Sequence, residues 1–260
     1  GKHLPADHQP LEVTGCLVVD RGHHERDVLG GEVLLLLELH LEGLQSAQPS
    51  IELQVVTAEQ LAGSRQLIMP TNEHVLGLDP SDGTVLWSYA HEGDNQSMNP
   101  VVIGEDKLFL THSSSGSKMV AVSRGDGVYN FETLWENGEL RGSFHTPLYK
   151  DGYLYGYSGR FLTCISTEDG SRVWKSRPPG DGFAILVEDC LAVVTKKGTV
   201  HLIEASPKGY SEKASLQVFD SLTWSPPAFA AGKIFLRNLA SIAAVDIGGQ
   251  AARLSDGEKP

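Results

Sequence analysis

"VLGLDPSDGTVLW", residues 75–87, decides how this chain folds. It opens as an alternating strand, runs through an Asp-rich turn, reverses at Gly83 and ends a second strand on Trp87. Side chains that alternate apolar and polar argue a half-buried strand, and glycine takes the positive φ that such a reversal needs. The pattern recurs. "CISTEDGSRVW" (164–174) is its closest copy, and "AVSRGDGVYNFETLW" (121–135) repeats it with four extra residues between Gly127 and Trp135. "LIEASPKGYSEKASLQVF" (202–219) keeps the outline without the Trp, and "AAVDIGGQAARL" (243–254) keeps only Asp246.

A second hairpin pattern interleaves with the first. "NPVVIGEDKLFLT" from Asn99, "TPLYKDGYLYGYS" from Thr146, "FAILVEDCLAVVT" from Phe183 and "PPAFAAGKIFLRN" from Pro226 each read as strand, two-residue turn, strand. The turn pairs are Glu105-Asp106, Asp151-Gly152, Glu188-Asp189 and Ala231-Gly232. Asp-Gly between alternating apolar runs is a strong short-range hairpin signal. Cys190 falls where Lys107, Tyr153 and Lys233 stand, so it reads as a strand residue. "LQVVTAEQLAGSRQLIM" (53–69) supplies the two strands the first copy needs in front of it. Four strands per unit at roughly 40-residue spacing predict an all-β fold, a β-propeller of four-stranded blades. About five blades are legible, with closure of the ring left open.

Residues 1–52 do not match the repeat, although "LEVTGCLVVD" and "LLELHLE" read as strands, and the composition changes near Gln48-Pro49. The expected organisation is an N-terminal segment (1–52), the repeats (53–250) and a C-terminal tail (251–260). The net charge of −12 repels phosphate backbones, so no nucleic-acid partner is expected. The densest positive spot, "VTKKGTV" (194–200), reads as a turn tip. No run of about 18 apolar residues is present to cross a membrane. The strongest apolar run (33–44) contains Glu38, His40 and Glu42 and lies too far in for a signal peptide, so none is read in this chain. Cys16, Cys164 and Cys190 form neither a disulfide framework nor a zinc motif. His3, His8, His23 and His24 lack ligand spacing and read as a surface segment, so no metal site is expected.

Asp79, Gly83 and Trp87, spaced four and four, resemble the tryptophan-docking motif (A-x-D-x-x-x-G-x-x-x-W) of the pyrroloquinoline quinone (PQQ)-type propeller repeat. That repeat builds the quinoprotein alcohol dehydrogenase-like superfamily and its non-enzymatic relatives. Gly77 stands for the Ala; in the second copy Cys164 and Ser166 stand for Ala and Asp, with Gly170 and Trp174 matching. In the third, Ala121, Gly127 and Trp135 match and Ser123 stands for the Asp. Ser123 and Ser166 keep only a turn-bonding oxygen, so the motif reads as structural.

The resemblance covers about residues 53–247. It implies two functional readings. Dehydrogenases of the superfamily hold PQQ and Ca²⁺ in the central funnel with an Asp base and, in many members, a disulfide of adjacent cysteines. This chain has no Cys-Cys pair, and its Asp and Asn residues fall mostly in turns. The leading reading is therefore a non-catalytic scaffold with no cofactor and no catalytic residue. The alternative is a PQQ-dependent dehydrogenase or its degenerate remnant. By resemblance the protein is bacterial and extracytoplasmic, periplasmic or secreted.

Function in such a fold belongs to loops entering the innermost strands. "NQSMN" (95–99), "RGSFH" (141–145), "RPPGDG" (177–182) and "SLTWS" (221–225) place Asn99, His145, Asp181 and Trp224 at nearly equivalent positions. Arg160 and Arg237 end second strands. Polar and aromatic side chains converging in a concavity make a ligand site, although the same residues can cap strands. A protein or a small molecule bound at the channel rim is the expected partner.

Overall fold

The computed structural model describes residues 57–71, 73–91, 99–112, 116–141 and 144–247. The N-terminal segment, the C-terminal tail, Cys16 and the four N-terminal histidines lie outside them. Alternating sequence becomes strand throughout. The first sheet runs β1 (Thr57–Leu61), β2 (Ser64–Pro70), β3 (His74–Leu78) and β4 (Val85–Ala90) in chain order. The second is β5 (Val101–Ile103), β6 (Lys107–His112), β7 (Gly116–Gly125) and β8 (Val128–Asn137). The third is β9 (Leu148–Lys150), β10 (Tyr153–Ser158), β11 (Phe161–Ser166) and β12 (Arg172–Ser176). The fourth is β13 (Gly182–Val187), β14 (Cys190–Thr195), β15 (Thr199–Glu204) and β16 (Glu212–Gln217). The fifth has three described strands, β17 (Ala228–Ala230), β18 (Lys233–Arg237) and β19 (Ile242–Asp246).

Each sheet buries one face against the next. Leu61, Ile68, Val75 and Trp87 of the first pack on Leu108, Leu110, Val120 and Val122 of the second. Phe109 and Met119 meet Leu154 and Ile165. Tyr155 and Cys164 meet Leu191, Val193 and Ile203, and Val194 and Leu202 meet Ile234 and Leu236. Sheets that stack face to face in chain order are propeller blades. Contacts between β5 and β9, and between β13 and β17, set the first strands of neighbouring blades side by side. Among the described residues no core cluster joins the fifth sheet to the first.

The repeat is kept in the register. Lys107, Tyr153, Cys190 and Lys233 each open the second strand, opposite Ile103, Lys150, Val187 and Ala230. In the fourth strands, Trp87 pairs with Gly77, Trp135 with Met119, Trp174 with Cys164 and Ala214 with Leu202. A register shift follows at the same place in all four blades.

Two expectations are corrected. The turn at Glu105-Asp106 has three residues, because Gly104 joins it. The third motif copy is not an insertion between Gly127 and Trp135. Its Trp135 pairs with Met119, so Met119 and Ala121, not Ala121 and Ser123, hold the places of Gly77 and Asp79. The whole β7–β8 hairpin is lengthened, and Gly127 closes a two-residue turn with Asp126 at its tip. Ser123 lies in mid-strand opposite Asn130 and caps no turn.

The turns elsewhere follow their side chains. Asp79 Oδ1 accepts from the Ser81 amide at 2.8 Å and from its hydroxyl at 2.6 Å, which holds the exposed carboxyl below its usual pKa. Ser166 Oγ accepts from Glu168 N at 3.1 Å. A second cap is shared by the two copies: Asp82 accepts from Thr84 N, and Asp169 from Ser171 N, both at 2.9 Å. Two successive side-chain-to-amide bonds fix each loop, the second spanning its glycine.

Topology sorts the connections between two ends of the blades. Linkers into the first strands and the tips between second and third strands share one end. Turns between first and second strands, with the third-to-fourth loops, share the other.

Candidate functional site

At the linker end, the loop into β9, the loop into β13, the β14–β15 tip and the loop into β17 converge on Trp224. Its ring lies 4.7 Å from Phe183 and 5.8 Å from Phe144, both near edge-on. Lys196 Nζ sits 3.8 Å from the indole centroid and in salt-bridge contact, 2.5 Å, with Asp181 Oδ2. A cation over an aromatic face is attracted by the ring quadrupole. Backbone bonds hold this arrangement: Thr223 N donates to Lys196 O at 3.0 Å, and Lys196 N to Asp181 O at 2.9 Å. Thr223 itself is fully buried, so Trp224 projects from an anchored stem.

His145 is also part of the assembly, but from below. It is buried, its Nε2 lies 3.0 Å from Ala184 O, and its ring meets Tyr157 edge-on at 5.6 Å. Since a carbonyl only accepts, Nε2 carries the proton of that bond. Tyr157 donates to Gly180 O at 2.8 Å, and burial, with Asp181 nearby, pushes its pKa well up. His145 and Tyr157 therefore brace the linkers, while Phe144, beside His145 in sequence, is exposed on the rim.

Of the five rim candidates, the structure brings His145, Asp181 and Trp224 together. Asn99 stands half-buried before β5, with no described contact to them. Arg237 ends β18 exposed, opposite Ile242. Its neighbour Asn238 reaches the Trp224 loop, donating from Nδ2 to Ser221 Oγ at 2.8 Å. Sequence reading missed Phe144, Phe183 and Lys196. The signal for Lys196 was present in "VTKKGTV", a tip at the same end as the linkers.

The motif residues hold blades together by two routes. Trp135 Nε1 donates to Thr167 O at 3.0 Å, and Trp174 Nε1 to Ser206 O at 2.9 Å, each in the following blade. Trp87 instead donates to Gln66 Oε1 of its own blade at 2.5 Å, and meets Phe131 and Tyr129 of the lengthened β8 at 5.2 and 6.3 Å. Gly77 makes room: a Cβ there would lie 2.1 Å from Trp87 Nε1.

A family model described as outer membrane protein assembly factor BamB matches residues 41–176, just over half of the chain. The chain belongs to this family. The BamB match ends with the last residue of β12, so Asp181, Phe183, Lys196 and Trp224 lie beyond it. Among solved structures, that of BamB from Moraxella catarrhalis aligns over 69% of this chain and 68% of that chain, at 13% identity and a TM-score of 0.44. No curated protein matches the chain. No described helix is long and apolar enough to cross a membrane.

Proposed function

We propose that the protein is a non-catalytic propeller scaffold that binds a protein partner at its linker rim. The observation that carries this is the Trp224 cluster, where Phe144 (54% exposed) and Leu222 (54%) stand in solvent beside a tethered Trp224 (38%). Exposed aromatic and aliphatic side chains on a rigid support are the form of an interface anchor. Membership of the BamB family supports a protein partner, and the family's description supports a place outside the cytoplasm.

The described residues lend the quinone-and-calcium alternative no support. Among the described residues no three His, Cys, Asp or Glu side chains gather as a metal donor set. Asp181, the rim carboxylate among the candidates, is engaged by Lys196. A photo-crosslinking amino acid tests the proposal in the natural host. Placed at Phe144 it should give one discrete protein adduct; placed at Val128, exposed at the opposite end, it should give none. Adducts of equal yield from both positions would overturn the rim assignment. Dye-linked alcohol oxidation by the purified chain with PQQ and Ca²⁺ would overturn the non-catalytic reading.

A further inference from the structure

The two ends of the blades differ in charge as well as in shape. The first-to-second strand turns carry Glu105, Asp106, Asp151, Glu188 and Asp189 to one end. Lys150 is drawn in among them, 2.6 Å from Asp189 and 3.3 Å from Asp151, and Lys107 lies 3.8 Å from Asp106. At the first blade the linker end carries an acid too, Glu73 on the β2–β3 tip, but from the linker into the third blade onward this end is the reverse. Arg141, Arg160, Arg177, Lys197 and Arg237 are exposed there, and none is in an ion pair among the described residues. Over residues 144–241 the linkers and tips of this end contain two acids, Asp181 and Asp220. Asp181 is neutralised by Lys196, and Glu139, in the linker with Arg141, is turned to Arg172 at 3.4 Å. A chain with net charge −12 thus presents a cationic arc around its exposed apolar anchors.

We infer that the partner docks on this arc through an acidic segment that also carries bulky apolar side chains. The inference rests on the rim-binding reading above and adds the partner's chemistry. Charge complementarity selects and steers the segment, whereas the apolar anchors hold it. The net negative charge does not oppose this at contact. Screening at physiological salt confines each charge to about 8 Å, so the local arc decides. The anchors are continuous with the arc: the Ser221–Asn238 bond joins the Trp224 loop to the β18–β19 tip, setting Leu222 beside the junction that carries Leu239 (85% exposed) and Arg237.

Phage-displayed random peptides, selected on the purified chain and resynthesised with a fluorophore, test this. The selected pool should be rich in Asp and Glu interspersed with Leu, Phe or Trp. Arg160→Glu with Arg237→Glu, both at exposed sites, should weaken the best peptide about tenfold, the equivalent of 1.4 kcal/mol. Phe144→Ser with Leu222→Ser, also exposed, should abolish binding without moving the unfolding midpoint. Neutral or basic peptides overturn the acidic assignment. So does charge reversal that leaves affinity within twofold while the serine pair abolishes it, an outcome that leaves the rim reading standing. Binding indifferent to both pairs, or no enrichment at all, overturns the rim reading as well.

Discussion

Trp135 of β8 and Gly170 of the β11–β12 loop touch across a blade junction. A Cβ on Gly170 would lie 2.5 Å from Trp135 Cε3 and 2.2 Å from Asn137 Nδ2. The indole N–H and the Asn137 amide then bond to Thr167 O and Gly170 O of the same loop, at 3.0 and 2.9 Å. Gly170 also has a φ of 70°. Gly170→Ala should therefore cost about 2–5 kcal/mol, from left-handed strain of about 1–2 and overpacking of about 1–3. Gly127 is the control, with a φ of 82° and open space where its Cβ would go. Gly127→Ala should cost only the strain, about 1–2 kcal/mol. Equal losses in urea melts would show that contact with Trp135 does not hold the junction.

The first junction depends on Gln66. Fully buried, it takes the Trp87 indole proton on Oε1 and gives its amide to Leu61 O at 2.7 Å. Trp87→Ala should cost about 3–5 kcal/mol through the cavity it leaves. Gln66→Ala strands two buried polar groups, at about 1–3 kcal/mol each. The double variant should be milder than the sum, because the indole proton is then gone. Strict additivity in the double-mutant cycle would deny the coupling.

The fold was legible because the repeat is a local pattern that strand pairing preserves. Cys190, Lys107, Tyr153 and Lys233 align in the sequence and in the register alike. The third motif copy misled because Gly127 sits four residues from Ser123, as Gly83 does from Asp79, yet pairing is set by Met119 opposite Trp135. A longer hairpin preserves alternation, so periodicity alone does not locate its extra residues. The rim was half legible. Loop equivalence found His145, Asp181 and Trp224, but Phe183 reads as core and Lys196 as a turn tip until β14–β15 folds beside the β17 linker. Which neighbours meet there is a tertiary fact.

His91 should give the protein a pH-dependent stability. Its buried ring lies 3.2 Å from Thr111 O through Nε2, a bond the neutral ring satisfies with its single proton. Burial depresses its pKa, with Lys118 and His112 acting in the same sense and the Thr111 carbonyl and Glu136 opposing. The unfolded chain therefore takes up a proton first as pH falls. The contribution is complete above the unfolded value of about 6.5 and is lost as pH drops toward the folded value, by at most about 1.4 kcal/mol per pH unit. Urea midpoints should fall between about pH 7.5 and about pH 5.5, and His91→Gln, which keeps a donor, should flatten the fall. An unchanged slope in that variant would assign the effect to other groups.

The two described thiols should separate by blade position. Cys164 is fully buried between the third and fourth blades, and burial pushes its thiol up to about 12, although Tyr155 bonds to it and pulls the other way. Cys190, at the start of β14, is half-buried; burial again raises its pKa, and neighbouring Asp189 adds to the rise. Because the thiolate is the nucleophile, burial keeps Cys164 unreactive at about pH 8 even if reagent reaches it. Iodoacetamide should therefore alkylate Cys190 slowly in the native protein and Cys164 only after denaturation, as read by peptide mass mapping. Equal native rates at the two sites would mean that the third and fourth blades part readily, and that the packing of Tyr155 and Cys164 on Leu191, Val193 and Ile203 does not seal their junction.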